Sequence, residues 1–231
     1  MAPRSRPQAG AGSRKGKASR RPIRPKSGAG VPLLPIVVGL ILVGLTIAMV
    51  VWIIYLGRPQ PTTTPTVAGI PCDHLERKQV HYHAALQIMY NGQVTNLPGN
   101  TGIQLDSSGN VTCYYWLHVH PQNPNVIHIE SPASQTFTVG QFFSVWNQYS
   151  QANGLGPRKL DATHVATFTV QSGQKIVTYI DHNDGKGPQL YTADPSAIVL
   201  QNHEVVTIEI TPPEVTTPPT ISWGSGPYTG L

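Results

Sequence analysis

Apolar and polar side chains alternate along several short segments of the chain from residue 80 onwards. In Val80–Tyr90 the even-numbered residues are apolar or aromatic, whereas His81 and His83 occupy odd positions. Because successive side chains of a β-strand point to opposite faces, this alternation predicts a strand. Asn91-Gly92 follows it and predicts a tight hairpin turn. Related patterns predict further strands at Cys113–His120, Val126–Glu130, Thr136–Val139, Ala166–Val170, Lys175–Ile180 and His203–Ile210.

A helical spacing of aromatic side chains interrupts the predicted strands. Phe142, Phe143 and Trp146 recur at intervals that place them on one side of a helix over Gly140–Tyr149. We therefore predict a mainly β, β-rich α+β fold with one short helix in the body of the protein. The order of elements favours a β-grasp-like domain, and a β-sandwich with one short helix is the alternative.

The longest apolar run lies near the N-terminus. Val31–Leu56 contains no charged residue and exceeds the ~20 apolar residues that cross a bilayer, so we predict a transmembrane helix over residues 31–56. Trp52 and Tyr55 sit near one end of the run, as interfacial aromatic residues do. A cleaved signal peptide is the alternative, but its apolar region typically has ~7–15 residues, and no A-x-A-like cleavage site follows directly.

Charge is distributed unevenly along the 231 residues. Nine of the 16 Lys/Arg precede residue 27, whereas all 11 Asp/Glu and all nine His follow residue 72. The positive-inside rule therefore predicts a single-pass protein of the cell membrane, with a cytoplasmic N-terminus and an extracytoplasmic C-terminal domain. Residues 1–30 cannot form a core, so we predict a disordered basic tail that attracts anionic lipid headgroups. The tail lacks interleaved aromatic residues, and we expect no nucleic-acid partner.

A segment rich in Pro and Thr separates the apolar run from the body. We predict an extended stalk over residues 57–68 and an extracytoplasmic β-rich domain over residues 69–231. Cys72 and Cys113 are the two cysteines, and an even number outside the cytoplasm predicts one disulfide between them. A thiolate that binds copper is the alternative.

The chemically most informative pattern is the alternation of histidines on the predicted strands. Two His-x-His pairs and one His-x-Glu pair make up the set: His81, His83, His118, His120, His128 and Glu130. Residues i and i+2 of a strand face the same way, so each pair presents two ligands to one ion. Because imidazole suits both metals, we predict a copper or zinc site centred on His118 and His120 and completed by His128 or His83. Met89 shares the face of the first pair and is a candidate soft ligand for copper.

Two other interpretations of the histidines stay open. In the first, the imidazoles form a polar layer that hydrogen-bonds backbone or tyrosine groups between strands. In the second, they form a cluster that responds to pH, since histidine titrates near pH 6.5.

Elsewhere, Asp181–Gly185 partly resembles a calcium-binding loop, but Gly185 and Lys186 occupy positions that need an oxygen ligand and a glycine. We predict a hairpin turn there.

Three blocks of the body resemble a known group of sequences. They read HYHAALQIMYNGQ, CYYWLHVHPQNPNVIHIESPASQTFTVGQFFSVWNQ and DPSAIVLQNHEVVTIEI. They are similar to an uncharacterised family of bacterial and archaeal membrane-anchored ectodomains with H-x-H-A, W-L-H-x-H and I-H-I-E-S-P blocks. The similarity covers most of residues 70–212. It implies a secreted or anchored ectodomain and brings no named activity.

Three functional hypotheses follow. The first is an anchored extracytoplasmic protein that binds copper or zinc for capture, delivery or sensing. The second is a metal-free module that binds an envelope protein partner or supports a membrane protein complex. The third is a metal-dependent hydrolase or redox enzyme, which requires an open coordination position and a pocket. The sequence gives no signal for either requirement, so we predict no catalytic residue.

Overall fold

A computed structural model describes residues 32–56, 65–77 and 79–231. Its first element is helix α1, Leu33–Leu56, in the first of two compact units. The stretch Leu33–Ile54 has a mean hydropathy of 2.9 and is long and apolar enough to cross a membrane. The predicted tail over residues 1–30 lies outside the described residues, and so do residues 57–64 of the predicted stalk.

The second unit contains fourteen strands and one longer helix within its described residues. The helix is α2, Val139–Ala152. The strands are β1 (Thr66–Val67), β2 (Ile70–Asp73), β3 (Val80–Tyr90), β4 (Gln93–Thr95), β5 (Ile103–Leu105), β6 (Val111–Tyr115), β7 (Leu117–His118), β8 (Val126–Ser131), β9 (Lys159–Asp161), β10 (His164–Ala166), β11 (Phe168–Thr169), β12 (Lys175–Asp181), β13 (Gln189–Tyr191) and β14 (Val205–Thr211). The predicted mainly β fold with one short helix is therefore confirmed.

A central sheet of seven strands organises this unit. Its order is β13-β12-β14-β3-β8-β7, and β4 pairs with β3 through the two-residue turn at Asn91-Gly92. The β14–β3 pair is parallel, and the other pairs are antiparallel. Two smaller sheets flank it, one in the order β1-β2-β6-β5 and one in the order β11-β10-β9.

Strand alternation divides the central sheet into an apolar face and a polar face. Leu86, Ile127 and Ile208 are fully buried and share one core with Phe142 and other side chains of α2. This burial accounts for much of the stability, since each large aliphatic side chain removed from water contributes about 1.5–3 kcal/mol. The alternate residues of the same strands point away from that core, and the predicted histidine pairs lie among them.

The α2 N-terminus corrects one prediction. The segment Thr136–Val139 is not a strand, because Thr138 is the N-cap of α2 and Val139 begins the helix. The Thr138 hydroxyl accepts a hydrogen bond from the Gln141 backbone at 3.2 Å, and the Gln141 side chain accepts one from the Thr138 backbone at 3.0 Å. This reciprocal capping box satisfies two backbone donors that a helix end leaves free.

Two other predicted strands are broken in the structure. Cys113–His120 divides into β6 and β7 at Trp116, so the disulfide strand and the strand that carries His118 are separate. Ala166–Val170 divides at Ala166, which has φ of 55° and ends β10 before the chain reverses into β11. The hairpin predicted at Asp181–Gly185 is present as the connection between β12 and β13.

The predicted disulfide joins Cys72 of β2 to Cys113 of β6. Because their sulfur atoms are bonded to each other, neither cysteine offers a thiolate ligand for copper. β2 also pairs with β6 through Cys72 and Tyr115, so the disulfide and the strand pairing together hold Cys72 in the small sheet beside β7. The segment that follows Cys72 is therefore fixed at its N-terminal end.

Candidate metal centre

Three adjacent strands place three histidines in one row on the polar face of the central sheet. The register sets His83 of β3 opposite His128 of β8, and His128 opposite His118 of β7. Their apolar neighbours Ala84, Ile127 and Leu117 point to the opposite side and belong to the core. The period of two that forms the strands thus also gathers the imidazoles, because residues on one face must alternate with residues of the core.

A second row lies two residues further along β3 and β8 and consists of His81 and Glu130. His81 of β3 is opposite Glu130 of β8, and His81 Nε2 lies 3.2 Å from Glu130 Oε1. That oxygen also lies 3.9 Å from His118 Nε2 and 4.0 Å from His128 Nδ1. Glu130 is only 4% exposed, so its carboxylate lies among the imidazoles rather than in solvent.

The His118–His120 pair is arranged with both Nε2 atoms facing each other at 3.2 Å. His118 Nδ1 lies 2.8 Å from the carbonyl oxygen of Tyr115. Since a carbonyl only accepts hydrogen bonds, Nδ1 carries the proton and Nε2 of neutral His118 keeps its lone pair. A backbone carbonyl in this position is the arrangement that commonly orients a histidine bound to a metal.

Glu76 completes this side of the cluster, and sequence reasoning missed it. Its Oε1 lies 3.0 Å from His120 Nε2 and 3.7 Å from His118 Nε2. Glu76 lies between β2 and β3, in a segment without strand periodicity, so no alternation pattern indicates which way it points.

The segment that carries Glu76 is held by Asp73, the last residue of β2. Asp73 Oδ2 accepts hydrogen bonds from Trp116 Nε1 at 2.9 Å and from Arg77 Nε at 2.7 Å. The disulfide at Cys72 precedes Asp73 directly. The disulfide at Cys72 and the Asp73–Trp116 hydrogen bond therefore hold the chain before Glu76, and the Asp73–Arg77 hydrogen bond holds it directly after.

The distances fit the coordination sphere of a small divalent ion. Zinc–nitrogen bonds of ~2.0–2.1 Å in a tetrahedron put neighbouring ligand atoms about 3.3–3.4 Å apart. His118 Nε2, His120 Nε2 and Glu76 Oε1 form a triangle with sides of 3.2, 3.0 and 3.7 Å. These three atoms can therefore contact one ion with little movement.

Burial keeps several of the imidazoles neutral. Desolvation, reinforced by the neighbouring histidines, lowers the pKa of His83 to about 4 and that of His128 to about 2. Desolvation also lowers the pKa of His120, against the opposing charge of Glu76. Because metals bind the neutral imidazole, these shifts favour ligand-competent histidines at neutral pH.

The two carboxylates of the cluster shift in opposite directions. Burial raises the pKa of Glu130, although His118 and His81 oppose the shift. Contact with His118 lowers the pKa of Glu76, which is more exposed, so burial opposes the shift less.

Several buried polar atoms of the cluster have no hydrogen-bond partner within the described chain. They are His83 Nε2, His128 Nε2 and Glu130 Oε2. Leaving a buried polar atom unpaired costs about 1–3 kcal/mol, and native proteins satisfy most such atoms. The simple polar-layer interpretation does not account for these atoms, whereas an ion would satisfy them.

All six predicted ligands lie in this one cluster. The structure forms two overlapping groups of close ligand atoms, the first made of His118, His120, His128 and Glu130 and the second of His81, His83 and His128. Within each group the ligand atoms lie within 4.8 Å of one another, so the cluster could hold a metal ion. Met89 does not join it, because it lies six positions beyond His83 on β3, about 20 Å along a strand.

Three other histidines of the described body lie away from the cluster, and a fourth, His203, borders it through its backbone. His74 Nδ1 lies 2.8 Å from the Thr112 carbonyl, and His164 pairs with Asp161. His182 pairs with buried Glu204. The His203 backbone N–H donates a hydrogen bond to the His83 carbonyl at 2.6 Å, while the His203 ring stacks on Trp223 with ring centroids 4.8 Å apart. The cluster therefore gathers a particular subset of the histidines, and the histidine content of the chain does not by itself explain it.

The chain matches no protein-family model, and searches of curated proteins and of solved structures returned no significant match. The resemblance to an ectodomain family thus stays a prediction. Fold and site define a general class: a β-rich domain that follows an apolar helix and carries a His/Glu cluster able to hold a metal.

Proposed function

We propose that this chain is a single-pass membrane-anchored protein whose extracytoplasmic domain binds copper or zinc for capture, delivery or sensing. The observation that carries the proposal is the triangle of His118 Nε2, His120 Nε2 and Glu76 Oε1, whose sides match those of a tetrahedral site. His128 and Glu130 lie close enough to supply a fourth ligand.

The donor set favours zinc or divalent copper over monovalent copper. Imidazole and carboxylate ligands suit Zn(II) and Cu(II), whereas Cu(I) selects thiolate and thioether sulfur. In the described body both cysteines are bonded to each other and Met89 lies far along β3. The soft copper ligand predicted at Met89 is therefore not part of the proposal.

The site favours binding over turnover. A cavity of about 990 Å³ lies among β9, β12 and β13, with Leu160, Ile176 and Tyr191 in its lining, and none of the cluster residues borders it. The cluster is instead surrounded by its own ligands, with His118 fully buried and His128 6% exposed. We therefore assign no catalytic residue.

The membrane anchor in this proposal rests on length and charge. The 24 residues of α1 exceed the ~7–15 of a signal-peptide apolar region, and the basic residues precede it.

Lys175, whose side chain is 66% exposed, is a site for chemical labelling that reports the orientation of the domain. An impermeant amine reagent on intact cells should modify Lys175 in wild type, and protection of Lys175 until lysis would contradict an external domain.

Metal binding is tested on the full chain in detergent micelles, without an oligohistidine tag. Calorimetric titration with Zn(II) and with Cu(II) should show saturable binding at roughly micromolar or tighter affinity, about −8 kcal/mol. His118→Ala/His120→Ala should remove the ion bound at these two histidines and so lower the number of ions bound per chain. His74→Ala/His164→Ala removes two histidines away from the cluster and should leave it unchanged.

The contradicting result is a folded wild-type chain without saturable binding, or equal binding in both double variants. Either result would leave the metal-free interaction module as the better hypothesis, and the histidines would then be structural.

A further inference from the structure

The cluster holds more ligands than one ion can use. Seven side chains converge on it: Glu76, His81, His83, His118, His120, His128 and Glu130. A tetrahedral zinc ion takes four ligands, and its catalytic forms keep three from the protein. One ion would leave at least three of these side chains unused, including buried ones.

The ligands divide into two sets on different strands. His118, His120 and Glu76 form the triangle described above, at the β7 edge. His81, His83 and His128 form a second set on β3 and β8. In this second set the ring centroids of His83 and His128 are 4.6 Å apart, and those of His81 and His83 are 4.7 Å apart.

The second set carries its own sign of a missing ligand. His83 is 8% exposed and His128 6% exposed, and the Nε2 atom of each is buried without a hydrogen-bond partner in the described chain. Their rings meet edge to face, at an interplanar angle of 85°. One ligand nitrogen from each of His81, His83 and His128 lies within 4.8 Å of the others, and His81 is 43% exposed to solvent, so an ion could reach this set and satisfy its unpaired nitrogens.

Glu130 lies between the two sets. Its Oε1 is 3.2 Å from His81 Nε2 in the second set and 3.9 Å from His118 Nε2 in the first. Its Oε2 is buried and has no partner in the described chain. A carboxylate has two acceptor oxygens, so it can contact one ion with each.

We propose that the centre binds two divalent transition-metal ions, one at His118, His120 and Glu76 and one at His81, His83 and His128, with Glu130 as the bridging carboxylate. This inference rests on the proposed function. The two ions share Glu130, so filling of the second subsite depends on a carboxylate that the first ion also uses. Two-metal sites with a shared ligand typically hold their ions about 3.5–4 Å apart.

The test measures stoichiometry on the full chain in detergent micelles. After saturation with Zn(II) and removal of free ion by gel filtration, elemental analysis should give two zinc per wild-type chain. His81→Ala/His83→Ala should give one. The milder His81→Asn replaces a partly exposed side chain and should lower the affinity for the second zinc by at least tenfold with the fold retained by circular dichroism.

Electron paramagnetic resonance with Cu(II) gives an independent readout. Two Cu(II) ions about 4 Å apart couple, so wild type should show less signal than its copper content, and His81→Ala/His83→Ala should recover the full signal of isolated Cu(II). Glu130→Gln keeps the side-chain volume but removes the bridging carboxylate, so its signal should rise towards its copper content.

The outcomes separate the two proposals. One zinc per wild-type chain, with a full isolated Cu(II) signal, would overturn the two-ion centre and leave the proposed function standing. Two zinc per chain that persist in His81→Ala/His83→Ala would also overturn it, because the second ion would then sit elsewhere. Absence of any bound metal would overturn the proposed function itself.

Discussion

Gly102 offers a way to move one metal ligand without changing it. Gly102 has φ of +79°, and a Cβ added there would lie 2.5 Å from the carbonyl oxygen of Leu117 and 3.1 Å from His118 Cα. Both atoms belong to the backbone of β7, so Gly102→Ala must shift the strand that carries His118. A matched control is Gly109→Ala, which has φ of +84° and nothing within 4 Å of the added Cβ.

The two variants separate conformational cost from steric displacement. An alanine in the left-handed region costs about 1–2 kcal/mol in either position. Overpacking against backbone adds about 1–3 kcal/mol, so Gly102→Ala should lose about 2–5 kcal/mol of unfolding free energy. Urea denaturation of the second compact unit, residues 62–231, measures both values. Zinc affinity should fall at least tenfold in Gly102→Ala and stay unchanged in Gly109→Ala.

Equal stability losses in the two variants would refute the steric argument. A Gly102→Ala protein that binds zinc as tightly as wild type would refute the claim that the position of β7 sets the geometry at His118. A large stability loss without an affinity change would show that the strand yields while its histidine stays in place.

Three further predictions address the supports of the cluster. Reduction of the Cys72–Cys113 bond, which spans 41 residues, should lower the unfolding free energy by roughly 4 kcal/mol, and unchanged urea midpoints before and after reduction would contradict this. Trp116→Phe removes the hydrogen bond to Asp73 and should cost about 1 kcal/mol and weaken zinc binding about tenfold, which calorimetry checks against wild type. The third concerns pH. In the metal-free protein the pKa of His128 is about 2 in the folded state and ~6.5 in the unfolded state. As the pH falls below 6.5, the unfolded state therefore takes up a proton that the folded state does not, and the folded state loses stability. Between pH 7.5 and pH 5, the unfolding free energy of wild type should therefore fall by about 2 kcal/mol more than that of His128→Leu. Parallel pH profiles of the two proteins would contradict a lowered pKa of His128.

The sequence predicts the parts of the site that depend on strand periodicity. The alternation in Val80–Tyr90 predicts β3 at its observed bounds and puts His81 and His83 on one face. The same period in β8 pairs His128 with Glu130. What periodicity cannot supply is register between strands, and the row formed by His83, His128 and His118 depends on that register.

Other features depend on local chemistry or on tertiary contacts. The capping pattern of Thr138 and Gln141 was present in the sequence and identifies the start of α2 better than the apolar alternation does. The turn at Ala166 requires a positive φ in a residue without a turn signal, so the sequence gives no indication of it. Glu76 lies in an irregular segment, and its direction follows from Asp73, Trp116 and the disulfide.

The central claim is that histidines of the β-sheet bind a transition metal directly. Zinc K-edge X-ray absorption on the zinc-loaded full chain tests it most directly. We predict a shell of nitrogen and oxygen ligands at about 2.0–2.1 Å, with the outer-shell scattering of at least two imidazoles per zinc, and less zinc bound per chain in His118→Ala/His120→Ala. A spectrum of zinc bound only by water or carboxylate oxygen, without imidazole scattering, would contradict the account.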